Sequence, residues 1–102
     1  MADEIQIIQP EQVEKLLTNK EDVCLIDVRE DEEVQAGKIP EAIHIRLSEI
    51  PERYQELDID KNYIMICRSG RRSEKAAEFL QDRGFKVKNM VGGMIKWRGR
   101  VE

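Results

Sequence analysis

The chain has 102 residues, of which 40% are hydrophobic and 37% charged, with one Trp, two Tyr and two Phe. That is the length of one domain, residues 1–102, with enough surface to bury for a mainly aliphatic core without metal or disulfide staples. No apolar run is long enough to span a bilayer, and MADEIQ lacks a basic start followed by an apolar stretch. Both features argue against a membrane protein and a Sec-exported one, while a net charge of −4 argues against a general nucleic-acid binder.

In chain order, Ile5 to Ile8 has strand character, and Pro10 suits the first turn of a helix whose apolar stripe is Val13, Leu16 and Leu17. VCLIDV (23–28) is a near-continuous aliphatic run, as expected for a strand covered on both faces. Arg29 to Ala36 reads as a short exposed acidic helix ending at Gly37, and AIHI (42–45) as another strand. Leu47, Ile50 and Tyr54 are spaced for one helical face. NYIMIC (62–67) is a second buried strand, followed by the polar segment RSGRRS. The spacing of Ala76, Ala77, Phe79 and Leu80 then predicts a helix beginning near Ser73 and capped at Gly84. Phe85 to Val91 contains the last strand, and Gly92-Gly93 lead into a short helix carrying Met94 and Trp97. Strands alternating with helices define an α/β domain with a central parallel sheet and helices on both faces. No exposed apolar helix is evident, so the expected state is a monomer.

Two cysteines, Cys24 and Cys67, and one histidine, His44, are too few for a disulfide scaffold or a Cys/His metal cluster. A reducing, cytoplasmic setting is expected. Charge is divided along the chain: residues 1–60 carry a balance of −11 and residues 61–102 a balance of +7. The positive part is suited to a small anion or an acidic protein surface, or else merely neutralises the acidic part across the fold.

Chemistry concentrates at residues 67–73. Ligands of open α/β sheets sit outside the carboxyl ends of the strands, and Cys67 closes a buried strand there. Gly70 lets the following loop curl, and a curled loop running into a helix aims several backbone N–H groups at one centre. Those dipoles, with Arg68, Arg71 and Arg72 nearby, favour a Cys67 thiolate over the thiol and make it a nucleophile. The alternative is a structural cysteine that merely ends a strand, against which three arginines within five residues weigh. Cys24, among apolar neighbours, reads as a core residue. Four residues separate Cys67 from Arg72, one fewer than in cysteine phosphatases and arsenate reductases. The tighter cradle suits a single extra sulfur atom better than a tetrahedral phosphate.

Three blocks resemble the rhodanese-like sulfurtransferases in their short, single-domain form: LIDVREDEEVQAGKIPEAIHI (25–45), CRSGRRS (67–73) and VGGMIKW (91–97). The resemblance implies a rhodanese-like three-layer domain. It further implies that Cys67 takes a sulfane sulfur from a small anionic donor such as thiosulfate, or from a persulfide, and passes it to cyanide, a thiol or a protein cysteine. The resemblance implies no metal, nucleotide or organic cofactor. A relay module that moves sulfur between proteins is the alternative. Within the loop, Arg68 and Arg71 are expected to attract the donor and Arg72 to anchor the loop on Asp27 or Glu33. Ser69 and Gly70 are expected to act through their backbone, and Ser73 to cap the helix. Asp27 and Arg29 read as structural turn residues, Trp97 as a packing residue and His44 as a satisfied structural histidine. Lys38, Glu41, Arg71 and His44 depart from the family's usual residues, which bears on donor and acceptor preference rather than on the reaction class.

Overall fold

The computed structural model describes residues 4–102, so the first three residues of the MADEIQ start lie outside the described residues. Five strands form one sheet: β1 (Gln6–Ile8), β2 (Cys24–Asp27), β3 (Ile43–His44), β4 (Asn62–Ile66) and β5 (Lys86–Met90). All pairs are parallel and the order across the sheet is β1-β5-β4-β2-β3. The helices are α1 (Pro10–Thr18), α2 (Asp31–Gln35), α3 (Ile50–Arg53) and α4 (Arg71–Gln81). Single 3-10 turns flank α3 at Leu47–Glu49 and Tyr54–Glu56, and another, Gly93–Lys96, closes the fold.

The two-residue period of a strand divides the core into two layers. Tyr63, Met65 and Cys67 fall on one side with Ile26 and Val28 from β2 and its exit. They pack against Ala76, Ala77 and Leu80 of α4 and Ile50 of α3. Ile64 and Ile66 fall on the other side with Leu25, against Val13 of α1, Ile39 and Met90, with Met94 and Trp97 beyond. Ala76 and Ala77 have no exposed surface, and their small size brings α4 close to β4. Because Cys67 continues the Tyr63–Met65 row, its side chain emerges on the α4 side of the sheet.

Three elements differ from the sequence expectation. The strand at 42–45 is only Ile43–His44, an edge strand paired on one side with β2. The helical face of Leu47, Ile50 and Tyr54 is divided into three short pieces. Pro51 lies in the first turn of α3 and has no N–H to donate to the preceding 3-10 turn, so the first two pieces do not merge. Finally, α4 begins at Arg71, two residues before Ser73. Gly70 at φ 102° serves as its N-cap, and this left-handed residue reverses the chain faster than a side-chain cap allows.

Candidate active site

The site lies where β4 and β5 deliver their carboxyl ends to the 67–70 loop and the Gly92-Gly93 turn. Asp27 at the end of neighbouring β2 is fully buried. Its carboxylate accepts from Arg29 Nη2 at 2.7 Å, from Arg29 Nε at 3.0 Å and from the Arg29 backbone N–H at 3.0 Å. Arg29 also donates to the carbonyl of Gly37 at 2.8 Å, so one guanidinium fixes both ends of the α2 segment. The two residues are spent on each other and on the α2 segment, and Asp27 is thereby unavailable to Arg72. Arg72 pairs instead with Glu33 of α2, Nη1 to Oε1 at 2.7 Å and Nη2 to Oε2 at 2.8 Å. Those twin bonds are the main reason the Glu33 carboxyl is lowered to about 2; burial opposes them, and the Glu30 N–H and Arg29 assist. Glu33 in turn raises Arg72.

Cys67 has no exposed surface. Its Sγ accepts from the Gly70 backbone N–H at 3.0 Å and lies 3.2 Å from Ser73 Oγ. Burial alone pushes the thiol pKa up, but the Ser73 hydroxyl and the backbone N–H groups of Ser73, Gly70 and Ser69 outweigh it, and the net direction is down. The N-terminus of an eleven-residue helix adds its dipole in the same sense. The 67–70 loop is held from behind: the carbonyl of Cys67 accepts from Met94 N–H at 2.8 Å and that of Arg68 from Ile95 N–H at 3.0 Å. A Cβ on Gly93 (φ 58°) would collide with the Arg68 carbonyl, so this close approach requires glycine.

The structure corrects the role expected for Ser73. It is the third residue of α4 and does not cap it; its hydroxyl reaches Cys67 Sγ and Asn89 Oδ1. Asn89, at 4% exposure, was missed by the sequence reading. Its Nδ2 donates to the Gly70 carbonyl at 2.9 Å, so one amide holds both the curl of the loop and the serine beneath it. The available signal was alternation: in KVKNM the lysines face out, which places an amide where an apolar residue is the norm.

Arg68 and Arg71 are exposed to solvent, and among the described residues neither makes an ion pair. His44 lies on edge strand β3, where its Nε2–H donates to the Arg29 carbonyl at 2.7 Å. Lys38 donates to the carbonyls of Ile39 and Pro40. Trp97 packs on the second core layer and its indole N–H donates to the Arg100 carbonyl at 3.0 Å. Cys24 is half-buried rather than fully enclosed. It stands opposite Tyr63, four residues and roughly 13 Å along the strand direction from Cys67, so the two cannot bridge in this fold. Among the described residues, no three His, Cys, Asp or Glu side chains converge as a metal needs, and no helix is long and apolar enough to cross a membrane.

The structure is a parallel α/β domain with a cysteine set in an N–H-lined strand-to-helix loop. The chain belongs to the rhodanese-like domain family, whose sequence pattern matches residues 9–100. It is 46% identical over 99 residues to "Putative sulfurtransferase YtwF" of Bacillus subtilis (strain 168), covering 97% of this chain and 96% of that one. It is also 40% identical over 102 residues to "Putative sulfur carrier protein YrkF" of the same organism, covering 99% of this chain but 55% of that protein. The crystal structure of a rhodanese-like domain protein from Staphylococcus aureus superposes with a TM-score of 0.90 at 31% identity, covering 96% of this chain and 97% of that one. The family supports a transferase acting on sulfur.

Proposed function

We propose that residues 1–102 act as one sulfurtransferase domain in which Cys67 is the nucleophile. The Cys67 thiolate attacks the outer sulfur of a small anionic donor such as thiosulfate. A new S–S bond forms, the donor's own S–S bond breaks with its electron pair leaving on sulfite, and Cys67 keeps a persulfide. A thiol, cyanide or protein-cysteine acceptor then takes the terminal sulfur and returns the thiolate. Electrons and atoms balance without any cofactor. Arg68 and Arg71 draw the anionic donor to the rim. The N–H groups of Ser69, Gly70 and Ser73 and the Ser73 hydroxyl stabilise negative sulfur. Arg72 acts by anchoring the loop to Glu33 rather than by touching the donor, which weighs against a phosphatase-like use of the loop.

The observation that carries this reading is the convergence of donors on a buried Cys67 Sγ in a segment that also carries two exposed arginines, Arg68 and Arg71. Intact-protein mass spectrometry tests it: thiosulfate should add one sulfur atom, and cyanide or a thiol should remove it. Cys67→Ser should abolish the gain and Cys24→Ser should leave it. A persulfide found on Cys24 instead defeats the assignment.

A second reading, a relay that exchanges sulfur with protein partners and turns over little free thiosulfate, is favoured by the sulfur-carrier name of one relative. Rapid loading from a persulfidated protein together with a very high thiosulfate requirement would select it.

A further inference from the structure

Beside the 67–70 loop lies a shallow depression of about 310 Å³ lined by Arg29, Glu33, Ala36, Arg68, Met94 and Ile95. Its apolar part comes from Ala36 at the end of the α2 segment and from Met94 and Ile95 of the closing turn. Ile95 is 59% exposed. A single exposed isoleucine is ordinary, but this one is pinned next to the nucleophile, because its N–H is bonded to the carbonyl of the residue that follows Cys67. The charges around it are already spent: Arg29 is held by Asp27 and Glu33 by Arg72. Arg68 is the lining group left without an ion pair among the described residues. The depression therefore offers an aliphatic floor and one uncompensated positive charge.

We propose that this depression docks the sulfur acceptor, and that the acceptor is a protein segment with an aliphatic and an acidic side chain close to its cysteine. A small thiol has no aliphatic group to cover Ile95 and Met94. An extended segment advances about 3.3 Å per residue, so side chains one to three positions from the cysteine lie up to about 10 Å from it, and the depression begins at Arg68, the residue after Cys67. The acceptor thiolate attacks the terminal sulfur of Cys67–S–SH. The new S–S bond forms on the acceptor, the old one breaks with its pair on Cys67 Sγ, and the proton stays on the transferred sulfur. This inference rests on the persulfide reading above.

The test uses the full chain loaded with thiosulfate or inorganic polysulfide and discharged by acetylated hexapeptides. One peptide carries leucine and aspartate beside its cysteine; others have serine for the leucine or lysine for the aspartate. The leucine–aspartate peptide should discharge Cys67 about tenfold faster than either. Ile95→Ser should remove the leucine advantage while leaving discharge by cyanide unchanged, and Arg68→Glu should reverse the preference to the lysine peptide. Equal rates for all peptides, or an Ile95→Ser variant slowed equally toward cyanide, would overturn the proposal. Binding of the same peptide with serine for cysteine to the unloaded protein, followed by backbone amide shifts, reads docking without sulfur. If Cys67 cannot be loaded, the persulfide reading fails, and shifts confined to Ala36, Arg68, Met94 and Ile95 still uphold the surface; no shift there defeats it.

Discussion

Ser73 has one hydroxyl proton and two acceptors, Cys67 Sγ and Asn89 Oδ1. It can serve only one at a time, and a negatively charged sulfur is the stronger claimant. Ser73→Ala should therefore move the pH midpoint of Cys67 alkylation upward and slow alkylation by a neutral reagent at pH 7 about tenfold, with Cys24→Ser as background to isolate one thiol. An unchanged midpoint would mean that the backbone N–H groups alone hold the thiolate. Asn89→Ala removes a partner from the buried Ser73 hydroxyl and from the partly buried Gly70 carbonyl. It should lower stability by about 2 kcal/mol in urea unfolding; a change below a few tenths would show that water replaces the amide. Alternation in KVKNM turns Asn89 inward, but its role was not legible in the sequence because its partners Ser73 and Gly70 lie 16 and 19 residues away in the chain. Cys67 was legible because its strand, glycine and arginines are contiguous.

At the scale of elements, the loop is a bridge between α4, α2 and the closing turn. Glu33 of α2 is held at about 2, below the ordinary 4.5, by Arg72 of α4. A carboxyl lowered in the folded state stabilises the fold fully above its unfolded value and loses that contribution as pH falls toward the folded one. Stability should thus decline between about pH 4.5 and pH 2. Glu33→Gln should flatten that part of the profile and cost about 1 kcal/mol at pH 7, a modest figure because the pair is partly solvated. A parallel decline in the variant would assign the acid transition to other carboxylates. Gly93→Ala forces a Cβ against the Arg68 carbonyl at a positive φ. It should destabilise the protein by about 2 kcal/mol, and wild-type thermal stability would show that the turn can move aside. The expected pairing of Arg72 left Asp27 and Glu33 both open, since spacing cannot say which carboxylate Arg29 has already claimed.

For the whole molecule, the Arg72–Glu33 pair ties the acidic first part to the basic last part, while Arg68 and Arg71 remain in solvent. Long-range attraction by exposed arginines is screened over roughly 10 Å at 0.1 M salt. The second-order rate of sulfur uptake from thiosulfate should fall as ionic strength rises, and Arg68→Ala with Arg71→Ala should reduce that slope. A rate indifferent to salt would remove these arginines from donor capture. The sheet also separates the two thiols, Cys24 toward the amino ends of the strands and Cys67 at the carboxyl ends, so oxidation should not join them within one folded chain.

Local pattern alone determined the α/β class, the strands at VCLIDV and NYIMIC, and the cysteine loop, because apolar periodicity, glycine and charge are properties of neighbouring residues. Tertiary structure decided the rest. The parallel register put Cys67 on the α4 side of the sheet, and the left-handed Gly70 started that helix two residues early and turned Ser73 from a cap into a partner of sulfur. Packing of β5 beside β4 brought Asn89 under the loop. The strand pairing and the Asn89 contacts depend on residues far apart in the chain meeting at fixed distances, and the early start of α4 depends on the backbone dihedral that Gly70 adopts; residue type alone fixes neither.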